Sequence, residues 1–200
     1  MTPIEKLTEY FREFPGIGPR QAKRFVYFLL RKDFQYINEL VKTIPELKKS
    51  VQQCSTCFRY FSKSHVANPQ CGTCRSTRDK SKLLVVARDV DFDAVEKSGE
   101  YDGYYFILGG QLSVLEKNPG RFIRIEDLKK NILERKENGL EEVILAMSAN
   151  PDGDTTAEYI RKELEPLEIS ISTLGRGLST GTELEYSDKD TISNALRNRR

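Results

Sequence analysis

Cys54, Cys57, Cys71 and Cys74 are the only cysteines in this 200-residue chain, and they form two Cys-x-x-Cys pairs separated by thirteen residues. Four thiolates at that spacing can close a tetrahedral site with no open position, as a structural Zn2+ requires. Two disulfides or an iron–sulfur cluster would use the same residues, and both stay open at this point. His65, the single histidine, lies in the loop between the pairs and reads as a surface residue rather than a fifth ligand.

A second set of residues with chemical potential is FPGIGPRQAKRF, residues 14–25, where Gly16 and Gly18 lead into Arg20, Lys23 and Arg24. Glycines let the backbone turn sharply and leave amide N–H groups and the positive end of a following helix facing outward. Three cations there oppose the helix dipole unless an anion offsets them. The pattern therefore fits a phosphodiester backbone, held without regard to base sequence and sensitive to salt.

Charge is divided along the chain in the same sense. Residues 1–82 hold 16 Lys/Arg against 7 Asp/Glu, a balance of +9, and residues 83–200 hold 16 against 23, a balance of −7. A basic first half suits a polyanion, and an acidic second half suits other work. Arg59, Lys63, Arg75, Arg78, Lys80 and Lys82 surround the cysteines, where solvated loop charge explains them about as well as DNA contact. No apolar run approaches the ~20 residues that span a bilayer. The N-terminal MTPIEKLTEYF carries no signal-peptide apolar core, so the expected location is the cytoplasm.

These residues need elements to hold them. Thr2-Pro3-Ile4-Glu5 has the types of a capping box, and Ile4, Leu7, Phe11 and Phe14 follow at near-helical spacing, which predicts a helix ending before Pro15. A second helix starts after Pro19, with Ala22, Phe25, Val26, Leu29 and Leu30 as its apolar face; the two make a helix-hairpin-helix. From Leu83 strands alternate with helices: LLVVA, YYFILGG, EEVILAMS and ISISTLGRG as strands, and VDFDAVEKSG, IEDLKKNILERKENG, DTTAEYIRKELEPL and a closing SDKDTISNALRNRR as helices. That alternation predicts a largely parallel α/β sheet covered on both faces, with ligands beyond the carboxyl ends of its strands, near LVVARD, LGG and AMSANPDGD. Neither LGG nor GRG stands in a dinucleotide or P-loop fingerprint, so no nucleotide cofactor of those classes is expected.

FPGIGPRQAKRFVYFLL, the four cysteines, DAVEKSGEYDGYYFILGGQLSVLE, EEVILAMSANPDGDTTAEYI and GRGLSTGTELEYSDKDTISNALRNRR, in this order, resemble the bacterial RecR family of recombination mediators over nearly the whole chain. The resemblance implies a helix-hairpin-helix over 1–53, a four-cysteine zinc finger over 54–82, a Toprim-like domain over 83–174 and a Walker-B-like segment and helix over 175–200. It implies a homo-oligomer, a dimer or tetrameric ring, that clamps DNA and works with RecO, and in some lineages RecF, to help RecA displace single-strand-binding protein. Arg20 and Arg24 fall on the hairpin positions the family uses for DNA; Lys23 is a natural third contact, with Gly16 and Gly18 shaping the turn. Phe28 stands where relatives commonly carry histidine.

In catalytic Toprim enzymes a glutamate after the first strand and an Asp-x-Asp pair hold Mg2+ for phosphoryl transfer. This chain has Ala87, Ser148 and Asn150 at those positions. RecR relatives usually keep the glutamate where Ala87 stands. Asp91, Asp152 and Asp154 match acidic positions the family retains where DNA or RecO engages the Toprim face. Asp152 and Asp154 could hold a weak metal, or one of them could cap a helix beginning at DTTAEYI. The expected function is a non-enzymatic DNA-binding mediator; the rival is a Toprim metal-dependent phosphotransferase or nuclease.

Overall fold

Thr2 caps the first helix, α1 (Pro3–Arg12), by the reciprocal bonds its sequence predicts: Glu5 N–H donates to Thr2 Oγ1 at 3.3 Å and Thr2 N–H to Glu5 Oε2 at 2.7 Å. In this computed structural model the described residues are 1–63, 68–114, 119–178, 181, 183–197 and 199. They form two compact units, Met1–Gln52 and Gln53–Arg200. His65 lies outside the described residues.

In the first unit α1 packs on α2 (Pro19–Leu30) through Phe11, whose ring meets Phe14 and Phe25 edge-on at 5.7 Å each, above buried Ala22 and Val26. A third helix, α3 (Phe34–Ser50), is capped by Asp33, which accepts from Tyr36 N–H at 2.8 Å. The sequence motifs do not announce this helix, and Pro45 lies inside it. Proline removes the N–H that would bond Val41 C=O, and Val41 is 62% exposed, so water can satisfy that carbonyl.

The short strand β1 (Val51–Gln53) straddles the boundary, with two of its three residues in the first unit; the second unit continues with β2 (Tyr60–Ser62) and the single-turn α4 (Gly72–Arg75). Then come β3 (Asp79–Val86), α5 (Asp89–Ser98), β4 (Gly103–Ile107), α6 (Ile125–Lys136), β5 (Glu142–Ala146), α7 (Pro151–Leu164), β6 (Ser170–Thr173) and α8 (Lys189–Arg197). The strands lie in the order β4-β3-β5-β6, all parallel, with Val85 opposite both Phe106 and Leu145.

Alternation along β3 and β4 sends Leu83, Val85, Phe106 and Leu108 to one face, against Leu128 and Ile132 of α6 and Ile160 and Leu164 of α7. Leu84, Val86, Tyr105 and Ile107 face the other way, onto Phe92 of α5. Both faces are thus covered, as near-continuous apolar strands require. The last strand stops at Thr173 rather than running through LGRG: Leu174 N–H still reaches Leu145 C=O at 3.4 Å, and the glycine-flanked Arg176 then leaves the ladder. β3 starts at Asp79, earlier than its apolar run, with an irregular register between Asp79 and Leu83. Among the described residues no helix is long and apolar enough to cross a membrane.

Candidate nucleic-acid interface and metal centre

Gly16 adopts φ +77°, the left-handed region that glycine tolerates best, and closes the hairpin with Ile17 N–H donating to Phe14 C=O at 3.0 Å. Gly18 is extended, at φ −80° and ψ 169°, so its value is the open space beside it: nothing lies within 4 Å of where a Cβ would be. Only one of the two glycines therefore makes the turn. α2 starts on Gly18 with Pro19 in its first position, no side-chain cap and no acid in its first turn. Its leading amides are left to whatever approaches from outside. Arg20, Lys23 and Arg24 are exposed around that end, and none has an ion-pair partner among the described residues; Arg24 Nη1 makes only a 3.4 Å contact to Gln21 Oε1. Uncapped amides and unneutralised cations at one helix end are the features that suit an anion.

The four cysteine sulfurs lie within 4.8 Å of one another, the one such cluster of metal-ligating residues among the described residues. Cys54 Sγ and Cys74 Sγ are 3.8 Å apart, and Cys57 Sγ and Cys71 Sγ 3.6 Å. A tetrahedron of sulfurs ~2.3 Å from a central Zn2+ has edges of ~3.8 Å. A disulfide needs ~2.05 Å, so the geometry fits an ion held by four thiolates and not a pair of cystines. Cys54, Cys57 and Cys71 are 1% exposed, and Cys71 N–H donates to Cys54 Sγ at 3.3 Å. The contact with Cys57, followed by those with Cys71 and Cys74, pulls the Cys54 thiol far below its ordinary value and pushes Cys57 up in return.

The first cysteine pair is tied to the large sheet. Ile107 N–H of edge strand β4 donates to Cys57 C=O at 2.8 Å, Asn131 Nδ2 to Thr56 C=O at 3.0 Å, and Tyr60 N–H to Asp89 Oδ1 at 2.7 Å. Phe58, at φ +63°, turns its ring onto Phe106 at 5.3 Å with the Arg124 guanidinium 5.4 Å from its centre. Arg59 lies 3.9 Å over Phe92. Of the six cations around the cysteines, three serve the fold: Arg59 as just described, Arg78 paired with Glu96, and Lys82 at 3.0 Å from Asp79. Lys63, Arg75 and Lys80 carry no ion pair among the described residues.

At the carboxyl ends of the parallel strands the acids expected to face a partner each make a bond within the chain, and Asp152 and Asp154 stay exposed. Asp91 accepts Arg88 N–H at 2.9 Å at the start of α5, and Asp152 Oδ1 accepts Val114 N–H at 3.2 Å. Asp154 pairs in fork geometry with Arg176, with Nη1 to Oδ2 at 3.2 Å. Neither Asp152 nor Asp154 caps α7. The cap is Asn150, whose Oδ1 accepts Gly153 N–H at 2.8 Å, and the helix begins at Pro151. Asn-Pro carries the cap-then-proline signature seen in Thr2-Pro3, a signal that could have found it. Ala87 is 1% exposed, and its C=O accepts Gly109 N–H at 2.9 Å. Arg124 comes in beneath Gly109, where a Cβ would meet its Nη1 at 2.6 Å, and donates to Ile107 C=O at 3.1 Å. Ala87, Ser148 and Asn150 offer no carboxylate here, and Asp154 is already paired with Arg176, which leaves few ligands for Mg2+.

Comparison with known proteins matches three regions of the chain, none of which includes the four cysteines. Residues 4–47 match the model described as RecR, helix-hairpin-helix; residues 81–175 match the Toprim domain; residues 177–200 match RecR, C-terminal. The chain is 38% identical to the recombination protein RecR of Cereibacter sphaeroides over 199 residues, covering 98% of this chain and 96% of that one. It is 36% identical to the same-named protein of Herpetosiphon aurantiacus, covering 99% and 94%, and 36% identical to that of Dehalococcoides mccartyi, covering 98% and 93%.

Proposed function

Because the chain belongs to the RecR family of recombination proteins, we propose that it is a non-enzymatic DNA-binding mediator of recombinational repair. The observation that carries this is the uncapped, acid-free start of α2 with Arg20, Lys23 and Arg24 exposed around it. Backbone amides and cations at one ridge recognise phosphate without reading bases, so binding is independent of sequence and falls with salt. Gly16 shapes the turn, and Gly18 keeps a side chain out of the way of an approaching strand.

Zn2+ in the four-cysteine site fixes the knuckle against the edge of the large sheet and supplies folding energy rather than a chemical step. Cys54, Cys57, Cys71 and Cys74 hold it. Oligomerisation, a dimer or tetrameric ring, has support in the first unit, where Leu7, Phe11, Leu30, Phe34, Ile37 and Ile44 line an apolar groove of about 590 Å3. Leu30, Phe34 and Ile44 are 62%, 86% and 59% exposed, more apolar surface than a free monomer usually leaves wet. RecO, and in some lineages RecF, would engage the Toprim face near Asp91, Asp152 and Asp154, assisting RecA loading on gapped or single-stranded DNA in the cytoplasm. In that encounter a basic group of the partner competes with Arg176 for Asp154.

The second reading, a Toprim metal-dependent phosphotransferase or nuclease, is favoured by the domain match alone, while Ala87, Ser148 and Asn150 withhold the carboxylates it needs. One experiment separates the two: a gel-shift titration on end-labelled gapped DNA with Mg2+ at low and high salt, followed by a denaturing gel of the same samples. A shift that weakens with salt over intact DNA supports the mediator. Metal-dependent nicking supports the enzyme, and no shift at either salt refutes the phosphate grip.

A further inference from the structure

We propose that Tyr27 is a base-stacking contact that makes the hairpin prefer DNA with unpaired bases; the inference rests on the phosphate grip above and deepens it. With 3.6 residues per turn, successive residues of α2 are rotated by about 100°, so Arg20, Lys23, Arg24 and Tyr27 fall within about 100° of one another. Tyr27 lies near the middle of that stripe. At ~1.5 Å per residue it stands about 10 Å beyond Arg20 and one turn past Lys23 and Arg24. Arg31, at the C-cap and also exposed, extends the cationic line past it.

Tyr27 is 50% exposed, and its ring enters none of the aromatic pairs among the described residues and does not line the apolar groove. Its hydroxyl has no hydrogen bond among them either. Its neighbour Phe28 shows the contrast: 40% exposed, it is held edge-on by Tyr36 at 6.1 Å with Lys32 Nζ 4.9 Å over its ring. An unheld aromatic ring amid unpaired cations is the composition of single-strand binding surfaces, where cations follow the backbone and a ring stacks on a base. In duplex DNA the bases stack on one another and offer no free face to a ring that lies along the backbone. At a gap or on a single strand they do. The same stripe of a second copy is a poorer occupant, since it would set like charges against each other.

The test is fluorescence anisotropy of the full chain with a labelled homothymidine oligonucleotide and with a duplex of the same length, for wild type, Tyr27→Ala, Tyr27→Phe and Arg20→Ala/Arg24→Ala. The inference expects Tyr27→Ala to lose about tenfold on the single strand, to keep its duplex affinity, and Tyr27→Phe to bind both as wild type does. The double arginine variant should lose affinity for both. Equal effects of Tyr27→Ala on both DNAs, or none on either, overturn the stacking contact. If the arginine variant binds as wild type while Tyr27→Ala still loses the single strand, the phosphate grip fails and the stacking contact stands. Circular dichroism of each variant checks that the helical signal is kept, which the exposure of Tyr27 leads one to expect.

Discussion

Replacing Gly153 by alanine should destabilise the second unit even though it puts a better helix former inside a helix. A Cβ at this third residue of α7 would lie 2.0 Å from Ser148 C=O, 2.9 Å from its carbonyl carbon and 3.1 Å from its nitrogen. Ordinary contact begins at 3.4 Å, so the chain must open by about 1.4 Å, and every atom in the way is backbone. The displaced loop carries Asn150, whose cap bond to Gly153 N–H at 2.8 Å and whose own N–H bond to Ser148 C=O at 3.0 Å would both be strained. Overpacking costs about 1–3 kcal/mol and a lost cap about 1 kcal/mol, whereas the gain in helix propensity returns at most about 1 kcal/mol. The net loss of about 1–3 kcal/mol lowers the melting temperature of the Gln53–Arg200 unit by about 2–12 °C. Thermal unfolding followed by circular dichroism reads it, with Gly175→Ala, where a Cβ meets nothing within 4 Å, as the neutral control. A Gly153→Ala melt within about 1 °C of wild type would refute the close approach of α7 to Ser148.

Changing any one of Cys54, Cys57, Cys71 or Cys74 to serine should remove the metal proposed there, zinc on this account, as measured by elemental analysis. It should also raise hydrogen exchange at Ile107, whose amide is bonded to Cys57 C=O, while leaving DNA chemically intact. Acid should act on Asp79: bonds from Ser81 Oγ and N–H, then Lys82, lower its pKa to about 2 from the usual 3.8. A depressed carboxylate adds stability that is present above the unfolded value and is lost as pH falls through the folded one, so the loss lies between about pH 4 and about pH 2. Asp79→Asn should flatten the stability profile over that window in a urea-unfolding series, and an unchanged profile would count against the Ser81 and Lys82 contacts.

The hairpin and the metal centre were legible because local spacing governs them. PGIGP followed by basic residues, and two Cys-x-x-Cys pairs, fix which atoms can meet before any tertiary contact forms. The strand and helix alternation after Leu83 was legible for the same reason, since buried parallel strands read as apolar runs. What could not be read depended on partners distant in sequence. Arg176 finds Asp154 across 22 residues, and Arg124 slides beneath Gly109 only once β4 and α6 are in place. α3 carries no turn or metal motif and has Pro45 inside it, one turn past the exposed residue Val41. Asn150 caps α7 where one of Asp152 and Asp154 was an equal expectation, although Asn-Pro held the signal. Arg59 and Arg78 read equally as solvated loop charge or as DNA contacts, and packing on Phe92 and pairing with Glu96 make them structural residues.

The most direct test of the central claim is the salt dependence of duplex binding by wild type and Arg20→Ala/Arg24→Ala. Each phosphate contact adds about 0.9 to the slope of log affinity against log salt, so three hairpin cations contribute about −2.7 and the single remaining Lys23 about −0.9. Between about 50 and about 200 mM salt those contributions amount to losses of about 40-fold and about fourfold. Contacts elsewhere add equally to both proteins, so the difference of about 1.8 between the slopes is the quantity to measure. A shallower line for the variant by that amount is the predicted result; two parallel lines would contradict a phosphate grip at the start of α2.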